Sequence, residues 1–301
     1  MIILALDTSG TTASAAIMDD NIILAESSVS LKNSPSRKTL ASEALKPEIP
    51  SETLTPTSTS ETLTPTSTSE TLTPKAPSTS EALMPMIDRL FQLTGMSLQR
   101  VDRIACTCGP GSFTGLRIGA ATARGLAFAT GKNLIAVPTL DAMAYTISCL
   151  NIPWVIPMMD ARRGQVYTAL YHNSKRVTDY LAEPVEDILE LLKGKLKTGE
   201  NIVFMGDGSV AYRDKINTAT LASVGIAHAD IESFNCASAD FTPVSIAPEC
   251  HNFIRASMVG ALALTMPPAK ESEFSLLYIR KPQAQRELEE KISNMPNGIQ
   301  M

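Results

Sequence analysis

The stretch Gly109-Pro110-Gly111-Ser112-Phe113-Thr114-Gly115-Leu116-Arg117-Ile118-Gly119 follows a short apolar run, Ile104 to Cys108. It leads into an Ala- and Gly-rich segment with helical spacing, Leu116 to Thr130. A strand, a Gly-rich turn and a helix in that order aim backbone N–H groups and a helix N-terminus at one spot, as in sites that hold phosphate. Gly109, Gly111 and Gly115 let the backbone come close, and Ser112 and Thr114 add hydroxyl donors. The commoner phosphate motifs do not fit. A dinucleotide fingerprint needs Gly where Thr114 stands, and a P-loop needs Lys where Leu116 stands. A nucleophile elbow fails because Pro110 and Thr114 flank Ser112. Two readings stand: an anion cradle, or a turn whose glycines let a helix pack closely on a strand.

Around this loop the chain reads as alternating strands and helices. Three short strands are expected first, at Ile2–Leu6, Ala13–Met18 and Ile22–Val29. A helix (Glu81–Thr94), a strand (Val101–Cys108), the loop, a helix (Leu116–Thr130), a strand (Asn133–Val137) and a helix (Leu140–Leu150) follow. The second half repeats the order: strands at Trp154–Met159, Gln165–Tyr171 and Arg176–Leu181, a helix at Val185–Leu196 and a strand at Asn201–Met205. A helix from Ser209, a weak strand near Leu221–Gly225 and a helix at Glu249–Leu264 complete it. Periodicity alone supports an α/β fold, open to duplication. The expected division is a first lobe over 1–150, a second over 151–283 and a charged tail over 284–301, with a short exposed helix at Ala284–Ile292.

Residues 42–77 interrupt this pattern with four nine-residue units, SEALKPEIP, SETLTPTST, SETLTPTST and SETLTPKAP. Each unit offers Leu as its main apolar anchor and a Pro that breaks any helix running across units. That is too little to offset an ordering cost of ~1–2 kcal/mol per residue. The expectation is a disordered insertion over 42–79.

Composition narrows the function. A net charge of −5 argues against a chain that grips nucleic acid alone, and no basic run is longer than Arg162-Arg163. Five cysteines at 106, 108, 149, 236 and 250 form no framework and suggest a reducing compartment. Asp7 interrupts the first apolar run, which reads as a strand rather than a signal peptide, and Ala256–Met266 is too short to span a bilayer. A soluble, cytoplasmic protein without membrane contact is expected. None of His172, His228 and His251 has a metal-like partner three or four residues away, so no metal site is expected.

Several segments, in order, resemble the TsaB (YeaZ) family. They are GPGSFTGLRIG at 109–119, the opening Ile2 to Ser9, Leu83 to Leu90, Val137 to Leu140, Met159 to Tyr167 with its Asp160-Ala161-Arg162, and Leu277 to Arg280. The resemblance spans about residues 1–283 apart from the insertion. It implies a two-lobed actin/Hsp70-like ATPase fold with a duplicated β-β-β-α-β-α-β-α order. It further implies a non-catalytic scaffold that pairs with a TsaD-like catalytic subunit to place threonylcarbamoyl on adenosine 37 of tRNA. A TsaE-like ATPase would join the pair, the chain would form a homodimer when alone, and tRNA would be met only indirectly. The pairing surface would lie on the first-lobe helices, with Met84, Ile87, Leu90, Phe91, Arg117 and Ala120 as candidates. The related TsaD carries an HxxxH metal pair where Thr139 and Met143 stand here, and neither is a substitute ligand. In such folds nucleotide lies between the lobes, here facing Asp7, Thr8, Ser9 and the turn Gly206-Asp207-Gly208. With the loop residues Gly109, Gly111, Ser112, Thr114 and Gly115 this leaves weak ATP or ADP binding open, although no cofactor is required. Asp160 and Arg162 could pair across the lobe boundary, or form a structural bridge. The alternative is an autonomous ATPase or small-molecule kinase using Asp7 and the 109–115 loop.

Overall fold

The computed structural model of the chain describes residues 1–31, 76–197, 200–216, 244–267 and 271–280. The repeat units, the weak strand near Leu221–Gly225, His228 and the tail helix at Ala284–Ile292 lie outside these residues.

The first sheet is built on β1 (Ile2–Asp7), whose continuous apolar run suits a strand buried on both faces. Its side chains alternate between two cores. Ile3 and Ala5 enter one apolar cluster, while Leu4 and Leu6 enter the other. Strands β2 (Thr12–Asp19) and β3 (Ile22–Ser30) add antiparallel to one edge of β1, and β4 (Arg103–Gly109) and β5 (Asn133–Pro138) add parallel to the other. The sheet order is β3-β2-β1-β4-β5. Helices α1 (Thr79–Thr94) and α2 (Phe113–Thr130) cover one face. At the start of α1 the Glu81 carboxylate accepts from Ser78 N at 2.7 Å, and Pro85 stands on the exposed side of the helix.

The second sheet repeats the first. Strand β6 (Trp154–Asp160) takes the place of β1, and β7 (Gln165–Thr168) pairs antiparallel with it. A two-strand excursion, β8 (Tyr171–His172) and β9 (Lys175–Arg176), precedes the edge strand β10 (Leu181–Pro184). After α4 (Val185–Lys193), strands β11 (Ile202–Met205) and β12 (Val244–Ile246) add parallel, giving β10-β7-β6-β11-β12. Two antiparallel neighbours on one side and two parallel neighbours on the other, in the same chain order, establish the duplicated actin/Hsp70-like α/β fold. The excursion replaces the expected continuous strands at Gln165–Tyr171 and Arg176–Leu181.

Helices α3 (Thr139–Tyr145), α5 (Asp207–Ala211) and α6 (Ala256–Leu264) follow β5, β11 and β12. The expected helix from Glu249 starts only at Ala256, after a single 3-10 turn at Glu249–His251. Asn252 is held out of helical register by its side chain, whose Oδ1 accepts from Gly206 N at 2.8 Å. Helix α6 then returns to the first sheet, where a Cβ on Gly260 would meet Met18 Sδ at 2.5 Å and Ala5 Cβ at 3.3 Å. Residues 274–280 return as well: Phe274 joins the first-sheet core and Leu277 N donates to Cys108 O at 2.7 Å. The segment after β12 thus packs on the first sheet, although it belongs to the second half in sequence.

One large core lies between the sheets, with Leu140, Met143, Val155, Met159, Met205 and Val259 all buried in it. Among the described residues no helix is long and apolar enough to cross a membrane.

Candidate functional site

The Gly-rich loop is seated on the first turn. Ser112 N donates to Ser9 O at 2.7 Å, and Thr8 Oγ1 donates to Gly115 O at 2.8 Å. A Cβ on Gly111 would collide with Ser9 O, and one on Gly115 with Thr8 O, so both positions require glycine. Ser112 caps α2, its Oγ accepting from Gly115 N at 3.2 Å. The donors that could cradle an anion are thus turned partly to the Ser9 carbonyl and to the helix's own cap. Thr114 is exposed, and Thr8 and Ser9 are buried. The geometry is that of a helix packed tightly on a turn.

Asp7 is buried beneath this contact. Its Oδ1 accepts from Ser9 N at 3.1 Å, Ser9 Oγ at 2.6 Å and Thr107 Oγ1 at 2.8 Å. Burial pushes its carboxyl pKa up, while the Ser9 and Thr107 hydrogen bonds oppose the rise. Across the interlobe crevice stands Asp207, in the second lobe's Gly turn, accepting from Asp160 N at 3.0 Å. Met143, Met159 and Asn252 line the space between, which measures about 20 Å³. That is room for a water molecule, whereas small-molecule sites run to about 300–1,000 Å³.

Thr139 opens α3 and Met143 lies one turn later, both buried. The Thr139 hydroxyl and the Asn252 Nδ2 are buried without a hydrogen-bond partner among the described residues. The Met143 thioether belongs to the core between the sheets. Among the described residues no group of three or more His, Cys, Asp or Glu is placed to hold a metal ion. His172 stacks on Trp154 with ring centroids 4.5 Å apart and lies 3.3 Å from Glu200 Oε1. Burial pushes the Cys108 thiol up to about 12, which keeps it protonated and poorly nucleophilic at neutral pH.

Asp160 serves its own lobe. Its Oδ1 accepts from Arg162 N at 2.8 Å and Tyr212 Oη at 3.1 Å, while the Arg162 side chain, 84% exposed, stands 4.0 Å from Oδ2. The pair is local, so the expected alternative of a bridge across the lobes gives way to a hydrogen-bonded turn. Other connections among the described residues do cross the boundary. Asp141 on α3 accepts from the hydroxyls of Tyr171 and Tyr180 in the second half, the latter at 2.9 Å. The 274–280 segment also bridges, from Leu277 N on Cys108 O to Arg280 Nη1 on Ala161 O at 2.8 Å. The Leu277–Arg280 motif was visible in sequence, but without periodicity nothing showed that it straps the lobes together.

The candidate pairing residues divide. Ile87, Leu90 and Ala120 are core, their side chains packed between α1, α2 and the first sheet. Met84 and Arg117 are exposed and Phe91 is half-buried, with Met84 and Phe91 two turns apart on one flank of α1. Exposed Phe113 and Phe128 extend the apolar surface along α2.

Comparison with known proteins places this architecture. The family profile described as TsaD, tRNA N6-adenosine threonylcarbamoyltransferase, matches residues 73–274. A Haemophilus influenzae protein named tRNA threonylcarbamoyladenosine biosynthesis protein TsaB is 37% identical over 102 residues, covering 34% of this chain and 43% of that protein. A Bacillus subtilis protein of the same name is 31% identical over 137 residues, covering 44% of this chain and 58% of that one. The chain spans about half the length of the curated relatives it matches. YeaZ from Pseudomonas aeruginosa shares the fold, with a TM-score of 0.58 at 18% identity over 92% of this chain and 99% of that one. With the family profile matched over most of its length, the chain belongs to the family the profile describes, and TsaB proteins are among its sequence relatives.

Proposed function

We propose that the chain is a non-catalytic scaffold subunit that dimerises with a TsaD-like protein for threonylcarbamoylation of adenosine 37 in tRNA. The crevice between the lobes carries this reading. Met143 and Met159 line the crevice beside Asp7 and Asp207, and its volume of about 20 Å³, far below that of small-molecule sites, supports a chain without a nucleotide of its own. The chain then supplies surface rather than reactive groups and needs no cofactor of its own. Met84, Phe91 and Phe128 offer the adaptable apolar contact that suits helix-on-helix pairing. The same face serves a homodimer when the partner is absent, and a TsaE-like ATPase joins the assembled pair.

Reconstitution tests the reading. Wild-type chain added to a TsaD-like subunit, threonylcarbamoyl-adenylate and unmodified tRNA is expected to raise modification well above that of the subunit alone. A Met84→Glu variant, folded by its melting temperature, is expected to lose that stimulation. Full stimulation by the variant would remove α1 from the interface, and modification unaffected by the wild-type chain would overturn the scaffold role.

A further inference from the structure

An acidic chain gathers arginines at one place on its surface. The β6–β7 turn runs through Arg162, Arg163 and Gly164, with φ of +66°, +57° and +77°. Left-handed turns of this kind favour Gly, Asn and Asp, because an L side chain is strained there. This chain instead places two exposed arginines in them. Arg163 makes no hydrogen bond or ion pair among the described residues. Arg280 joins the same turn through its Nη1 bond to Ala161 O. Two residues earlier, at most about 7 Å along the chain, Tyr278 Oη accepts from Arg117 Nε at 3.2 Å. The Arg117 guanidinium also lies 3.7 Å from the centre of the exposed Phe113 ring, and Phe113 stacks on Tyr278 at 5.4 Å.

These contacts place Arg162, Arg163 and Arg280 at the β6–β7 turn and Arg117, Phe113 and Tyr278 in a second group, the two joined through residues 278–280. Among the described residues Asp160 and Asp207 lie beside this turn; the Asp160 carboxylate is engaged by Tyr212 and the Arg162 amide, and Asp207 accepts from Asp160 N. Arg117 and Arg280 are each held by contacts that leave further guanidinium donors free. Such preorganised forks fit phosphate oxygens.

We infer that these two groups, together an arginine strip, contact the phosphate backbone of an RNA, and that Arg162 and Arg163 hold it in position beside the partner subunit. Three or four phosphate contacts are too few to retain RNA against the chain's net charge of −5, in keeping with a chain that does not grip nucleic acid alone, but they depart from the expectation that tRNA is met only indirectly. They suffice to orient an RNA held mainly by a partner, since phosphate contacts set register rather than read sequence. Arg117 also borders the proposed pairing face, so an RNA on the partner would meet the strip directly. The identity of that RNA as tRNA rests on the scaffold reading; the strip itself does not.

The test is fluorescence anisotropy of labelled, unmodified tRNA with the assembled pair over a range of salt, comparing wild type with Arg162→Gln/Arg163→Gln. The mass of each complex is measured in the same samples. The expected result is an intact complex, affinity lower by roughly ten-fold, and a salt slope shallower by about one per arginine. Arg162→Lys/Arg163→Lys is expected to recover much of the slope. Unchanged affinity and slope in an intact complex would overturn the inference, as would a complex that falls apart in the variant, which would make the strip a protein-docking surface. If the wild-type chain forms no complex at all, the scaffold reading fails separately. The strip is then judged on the isolated chain at about 20 mM salt, where weak tRNA binding lost in the double variant supports it and no binding overturns it.

Discussion

Two glycines on one helix should respond to the same substitution with opposite signs. At Gly115 an added Cβ collides with the Thr8 carbonyl oxygen and comes within 3.3 Å of the Ser112 side chain. Overpacking of this kind costs ~1–3 kcal/mol, and a backbone obstacle cannot rotate aside, so the upper end applies. Subtracting up to ~1 kcal/mol of helix propensity leaves Gly115→Ala destabilised by about 2 kcal/mol. At Gly125, ten residues along α2, an added Cβ meets nothing within 4 Å. Gly125→Ala keeps the propensity gain and should stabilise by ~0.5–1 kcal/mol. With roughly 2–4 °C per kcal/mol in a chain of this size, Gly115→Ala should melt about 4–8 °C below wild type and Gly125→Ala about 1–4 °C above it. Thermal unfolding by circular dichroism reads both. A Gly115→Ala protein as stable as wild type would refute the claim that the loop is packed onto the first turn, and would return it to the anion-cradle reading.

Asp141→Ala strands the hydroxyls of Tyr171 and Tyr180, which lose a charged acceptor joining the two halves. Hydrogen bonds to charged groups are worth about 1.5–3 kcal/mol each, so a loss of about 3 kcal/mol in denaturant unfolding is expected, and less than about 1 would deny the staple. Asp7 has a native pKa raised by burial, so the folded state keeps its proton where the unfolded chain has lost it. Stability from this group is full below the unfolded pKa and declines as pH rises through the folded one. Asp7→Asn should therefore gain stability relative to wild type as pH rises above the ordinary carboxylate range; a relative loss there contradicts the assignment. Millimolar ATP with magnesium should leave the melting temperature within about 1 °C, whereas ligand at 100 times its Kd would add about 2.7 kcal/mol and several degrees.

The sequence revealed the architecture more readily than the contacts. The β1 run and the order of elements around Gly109–Gly119 pointed to an α/β chain, and the repeated order anticipated two equivalent sheets. Strand β12 escaped because Val244-Ser245-Ile246 is too short to show alternation. The start of α6 was placed seven residues early because nothing local shows that the Asn252 side chain is committed to the Gly206 amide. Ile87, Leu90 and Ala120 looked like interface candidates because a helix stripe facing a core and one facing a partner share a single period. The glycines presented the same ambiguity: backbone approach to a phosphate and to a neighbouring carbonyl both call for the absence of a Cβ. Only the position of Thr8 and Ser9 over the loop distinguishes them.

Co-purification of the chain with its TsaD-like partner, read as the mass of the eluted complex, tests the scaffold account most directly. The account predicts a one-to-one heterodimer that weakens when Met84 on α1 is changed to Glu, while the variant chain keeps its melting temperature. No complex at micromolar concentrations, together with ATP turnover by the isolated chain, would contradict it.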